Sequence, residues 1–150
     1  MKNRKYLPTI AELIDRLSII QLKEVFISEH KEEYAEEIKD IVHDLDLLMN
    51  WEKPSGEMIR AIIVLAQMNL HIWHNETKYR AGEGDGNLGL THGLNGIRNT
   101  AKNIIIMSIT MRLILIRKIR KAQQLKSQSQ FQSPILVIII IAMTKSIGIK

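Results

Sequence analysis

Apolar residues recur every three or four positions through the first hundred residues, and that period predicts helices. In the first run Ile10, Leu13, Leu17 and Ile20 share one face. Thr9 and Glu12 open it as a capping box, in which the threonine hydroxyl accepts from the N3 amide and the glutamate accepts from the N-cap amide. The spacing predicts a first helix over about residues 9–27. A second run aligns Tyr34, Ile38, Ile41, Leu45 and Leu48, with Glu32, Glu33, Glu36, Glu37, Lys39 and Asp40 on the other faces. Pro54 cannot continue a helix. Ser55 is a suitable N-cap for a third helix, and Glu57 suits the positive end of its dipole. This third helix spans about residues 56–80. Its stripe runs Ile62, Leu65, Asn69, Trp73, Glu76, Arg80, apolar at first and polar later. Four glycines within residues 82–89 predict a loop. A fourth helix starts near Thr91, with Leu94, Ile97, Ala101 and Ile104 as its core face. Neither strand alternation nor an internal repeat is visible before residue 104. The expected fold class is all-α: a bundle of about four helices within residues 9–103, the last two forming a hairpin.

From Ile104 the pattern changes. Ile104–Ile119 mixes isoleucine with arginine, and Ser127–Ser133 is polar and of low complexity. Pro134–Met143 is a run of about ten mostly apolar residues, short of the ~20 that cross a bilayer as a helix. The Ile104–Ile116 run is also short and contains Arg112. Two regions are therefore expected: a bundle over 1–103, and a basic, isoleucine-rich segment over 104–150.

Charge sharpens that division. The net charge of +5 over 150 residues conceals an asymmetry. Residues 1–85 hold all sixteen acidic residues against eleven Lys and Arg, a net of −5; residues 86–150 hold ten Lys and Arg and no acid, a net of +10. The high isoelectric point belongs to one segment and is no specific nucleic-acid signal for the whole chain. The sequence has no cysteine, which excludes a disulfide scaffold and a thiolate metal site. The start, MKNRKYLPTIAELIDRL, lacks the apolar core of a secretory signal, so the expected setting is the cytoplasm.

Several local motifs invite chemistry. Gly84-Asp-Gly-Asn-Leu-Gly89 matches G-x-G-x-x-G ahead of a helix, where an anion could sit, but the dinucleotide fingerprint requires a preceding strand and a helix stands there. Glu83, Asp85 and Asn87 alternate as calcium ligands do, yet Leu94 occupies the place of the bidentate carboxylate. His71 and His74 lack further ligands at zinc spacing, so no metal is expected. The acidic pairs Glu33/Glu36 and Glu37/Asp40 lie on one helix, which favours a solvated face over a magnesium site shared by facing helices.

The polar end of helix three carries more. Glu76 and Arg80 are spaced to pair. Helix four supplies Asn95, Arg98 and Asn99, and a hairpin would bring the two sets together. Taken in order, Glu12-Leu-Ile-Asp-Arg-Leu-Ser-Ile-Ile20, Asn69-x-x-Ile-Trp-His74-x-Glu76-x-x-x-Arg80 and Leu94-Asn95-x-x-Arg98-Asn99 resemble a bacterial and phage family catalogued as domain of unknown function 4254. The resemblance covers about residues 9–103. It implies a helical fold and a site near the matched polar residues, and it implies no reaction. The glycine-rich loop departs from the family's charged linker. After Asn99 the family continues with an acidic helix, whereas this chain turns basic and apolar.

Two functions follow as expectations. In one, Asn69, Trp73, Glu76, Arg80, Asn95, Arg98 and Asn99 bind a small anionic ligand of phosphate or nucleotide type between helices three and four. Arg80 and Arg98 would hold the anion, Glu76 would orient Arg80 or act as a base, and the asparagines would fix polarity. In the other, the chain is a non-enzymatic structural or interaction module whose polar cluster only sets helix packing. Unpaired donors would favour the first, full mutual pairing the second. No cofactor and no oligomeric state are readable. For residues 104–150 two origins are open. One is a reading-frame shift: with AT-rich codons, reading Met107–Ile114 from the third base of the Met107 codon gives an acidic, helix-compatible peptide. The other is a basic membrane-surface segment over about 104–121, with Arg112, Arg117, Lys118, Arg120 and Lys121 beside isoleucine and leucine.

Overall fold

The computed structural model describes residues 7–49, 53–82 and 86–128, with side chains in the last stretch as far as Leu125. All regular structure among them is helical: α1 Ile10–Phe26, α2 Lys31–Met49, α3 Gly56–Arg80 and α4 Leu88–Gln128. The Pro134–Met143 run lies outside the described residues.

The starts of α1 and α3 have a local cause. At α1 both halves of the capping box form: the Glu12 amide donates to Thr9 Oγ1 at 3.2 Å, and the Thr9 amide donates to Glu12 Oε2 at 2.7 Å. At α3 the Met58 amide donates to Ser55 Oγ at 3.2 Å. The α1–α2 connection places His30 at φ 64°, a left-handed conformation uncommon outside glycine. Gly82 takes φ 72° just beyond the last residues of α3, where an αL residue closes helix ends and a side chain would be strained. Gly86 has a different reason: a Cβ there would lie 2.5 Å from the Tyr79 backbone nitrogen, so the returning chain passes against the end of α3 only without a side chain.

The chain groups into two compact units, 1–108 and 109–150. In the first, α1 is the central helix and packs against both α2 and α3. Toward α2 it presents Leu13, Leu17 and Ile20, which meet Tyr34, Ile38, Ile41 and Leu45. Leu48, expected on that stripe, is exposed. A second side of α1 buries Ala11, Ile14 and Asp15. On α3 the buried positions are Met58, Ala61, Leu65, Asn69 and Asn75.

α4 differs from the expectation in three ways. It starts at Leu88 rather than near Thr91, because Asn87 caps it: Asn87 Oδ1 accepts from the Gly89 amide at 2.7 Å and the Leu90 amide at 3.3 Å. Its buried face is Thr91, Ala101 and Ile105, whereas Ile97 is 50% exposed. The helix is rotated so that Arg98 and Lys102 reach α1, and this turns Ile97 outward. Finally, the change in composition at residue 104 is no break in structure. α4 runs through it, Ile105 is fully buried, and the first unit extends to residue 108. The other unit contains Ile109–Gln128 of the same helix.

Candidate functional site

The polar centre of the bundle is Asp15, a residue that apolar stripes do not single out. It lies on the side of α1 away from α2 and is 5% exposed. Three helices converge on its carboxylate. From α3, Asn69 Nδ2 donates to Asp15 Oδ1 at 2.9 Å and to Ser18 Oγ at 2.7 Å. From α4, Arg98 Nε donates to Oδ1 at 3.1 Å and Nη2 to Oδ2 at 2.6 Å, a two-point pairing that fixes the guanidinium plane. Lys102 Nζ adds a bond to Oδ2 at 3.2 Å. Arg98 Nη1 donates to Asn95 Oδ1 at 3.2 Å, and Ser18 Oγ donates to the Asp15 carbonyl at 2.8 Å. Asp15 and Lys102, together with Ser18, are thus site residues outside the expected set.

Electrostatics follow from that geometry. Burial alone pushes the Asp15 carboxyl up, but hydrogen bonds from Arg98 and Asn69, the Arg98 charge and the Lys102 bond outweigh it and hold the group below its ordinary value. One carboxylate faces two cations. Their side chains are 24% and 25% exposed, so the excess positive charge lies at the rim of the cluster. Among the described residues no buried side-chain nitrogen or oxygen lacks a partner.

A second cluster clasps the hairpin. Asn75, buried on α3, donates from Nδ2 to the Asn87 carbonyl at 2.6 Å and to Thr91 Oγ1 at 2.7 Å; its Oδ1 accepts from the Asn87 amide at 3.1 Å. Asn75 therefore positions the residue that caps α4. This also bears on the glycine motif, whose Gly84 lies outside the described residues together with Glu83 and Asp85. The α4 amides that an anion would seek are turned to the Asn87 side chain.

The expected site residues divide between these places. Asn69, Asn95 and Arg98 meet at Asp15. Glu76 and Arg80 do pair, Arg80 Nη2 donating to Glu76 Oε2 at 3.1 Å, but on the surface, with Arg80 79% exposed. They do not join Arg98. The helices run antiparallel, with Asn69 beside Arg98 and Asn75 beside Thr91. Glu76 therefore sits level with Thr91, and Arg98 is seven residues, about 10 Å of helix rise, farther along. Trp73 is half-buried and Asn99 exposed, neither in the cluster. His74 packs edge-on against Phe26, with ring centroids 5.3 Å apart. Among the described residues no group of three or more His, Cys, Asp or Glu is placed to hold a metal.

Fold and site together define an all-α bundle whose central helix carries a buried, ion-paired carboxylate. Compared with family models, curated proteins and solved structures, the chain has no significant match.

Proposed function

We propose that the bundle is a non-enzymatic structural or interaction module in which the Asp15 cluster fixes how α1, α3 and α4 pack. The observation that carries this is the complete pairing around Asp15: its carboxylate oxygens receive four donor contacts, and Arg98 has a second acceptor in Asn95. A catalytic or binding carboxylate needs a free lone pair facing a substrate, and this one is spent on neighbours. The three segments that resemble the uncharacterised family contribute Asp15, Asn69 and Arg98 in turn, which supports a common architectural role. Contacts with other molecules fall to outward side chains, among them Ile59 and Ile63, one turn apart on α3.

A second reading keeps the small anionic ligand, and the cluster's charge favours it. Arg98 and Lys102 outnumber Asp15, and both retain exposed surface. One experiment separates the two. The full chain and its Lys102→Ala and Arg98→Ala variants are melted with phosphate, nucleotides and sugar nucleotides at constant ionic strength. The packing role gives no saturable rise in Tm with any anion and a marked loss of Tm for Arg98→Ala. A saturable rise, abolished in Lys102→Ala while that variant stays folded, replaces the packing role with an anion site.

A further inference from the structure

The part of α4 in the second unit carries a face of its own. Met111, Ile114, Lys118, Lys121 and Leu125 follow each other at spacings of three and four, so they form one stripe about 21 Å long. All five are exposed, Met111 at 65% and Leu125 at 54%. Arg117 and Arg120 expose further positive charge beside it. No acidic residue occurs anywhere after Asp85 to balance these cations.

We propose that this stripe docks on an anionic lipid surface. The mixture of residue types selects the occupant. A second copy of the same helix would press Lys118 and Lys121 against like charges in a dry seam, which coiled-coil positions disfavour. A nucleic-acid backbone would satisfy the cations and leave Met111, Ile114 and Leu125 stranded against phosphate. An anionic bilayer interface takes both. The apolar side chains enter the headgroup boundary, while lysine stems lie along it and carry their ammonium groups to the phosphates. α4 also contains a stretch that is long and apolar enough to cross a membrane by length and composition. Its apolar stretch, residues 99–116, holds Lys102 and Arg112; crossing would place both cations in the hydrocarbon, where each is costly, and would draw Lys102 away from Asp15, so the helix lies on the surface.

The test is sedimentation of the full chain with phosphatidylcholine vesicles, with and without phosphatidylserine. In parallel, binding to duplex DNA is followed by anisotropy. The expected result is binding to the serine-lipid vesicles only, reversed by high salt. The Lys118→Glu/Lys121→Glu pair should weaken it at least about tenfold, since each basic residue near such a surface contributes on the order of 1 kcal/mol. Met111→Ser/Ile114→Ser should also weaken it, with helicity by circular dichroism unchanged; Leu125→Ser replaces that pair if helicity falls. Three results would overturn the proposal: no binding to anionic vesicles, vesicle association that resists high salt as a spanning helix would, or DNA binding tighter than vesicle binding and indifferent to Met111 and Ile114.

Discussion

At the scale of single residues, Asp15 decides the character of the molecule. Its carboxyl is held below the ordinary aspartate value of 3.8, despite burial, by Arg98, Asn69 and Lys102. The folded chain therefore releases that proton more readily than the unfolded chain. The resulting stability is fully present above the unfolded value and is lost as pH falls through the lowered folded value. Asp15→Asn removes the charge and leaves two cations facing an amide. It should cost about 1.5–3 kcal/mol at neutral pH, the scale of hydrogen bonds to charged groups. The deficit should shrink as pH drops below 3.8, because the unfolded wild type then takes up a proton that the folded carboxylate still refuses, and should level off once pH passes the lowered folded value. Denaturant titrations of both proteins between neutral and acidic pH measure it; a gap that stays constant with pH contradicts the role given to the charge.

At the scale of helices, the clasp at Asn75 makes a separate claim. Asn75→Asp keeps size and one acceptor but aims a carboxylate at the Asn87 carbonyl, where an amide had donated. The expected cost is about 1–3 kcal/mol, read as a lower denaturation midpoint, and an unchanged midpoint would remove Asn75 from the account of the hairpin. The elements themselves were legible in sequence. The capping box, Ser55 and the Tyr34–Leu45 stripe yield three helices at their observed places. What a stripe cannot show is a helix buried on two sides. The Leu13–Leu17–Ile20 face marks α1 as packed once and leaves Asp15 on a seemingly outward side, which α3 and α4 in fact cover. On α3 the same limit applies: Asn69 turns toward α1 and Asn75 toward the start of α4, so no single stripe holds both. The cap at Asn87 was readable from its residue type, but the surrounding glycines masked it. Asn69, Asn95 and Arg98 belong to the expected set, whereas Asp15 is marked only by lying within the Glu12–Ile20 segment of the family resemblance.

At the scale of the whole chain, composition and structure place the boundary differently. Acidic residues end at Asp85, and the texture changes at Ile104, yet the first unit closes only at Ser108. Ile105 is the reason, being one of the largest fully buried side chains. A chain ending at Ser108 should melt cooperatively, and one ending at Asn103 should lose about 2–5 kcal/mol of stability, as for deletion of a buried isoleucine. Equal melting of the two would return the boundary to the change in composition.

The distance along the chain between Asp15 and its cations gives the bundle a history as well as a shape. Asp15 is separated from Arg98 by 83 positions and from Lys102 by 87. During synthesis α1, α2 and α3 leave the exit tunnel before either cation does, and Asp15 must meanwhile remain hydrated. The Asp15 cluster can close only after Arg98 and Lys102 have left the exit tunnel, when the ribosome is already past the first unit, which makes folding late and all at once rather than helix by helix. Nascent chains arrested at increasing lengths should accordingly stay protease-sensitive through Arg80 and gain resistance in one step after Lys102 and Ile105 have left the exit tunnel; resistance appearing with α3 alone would place closure before the ion pair.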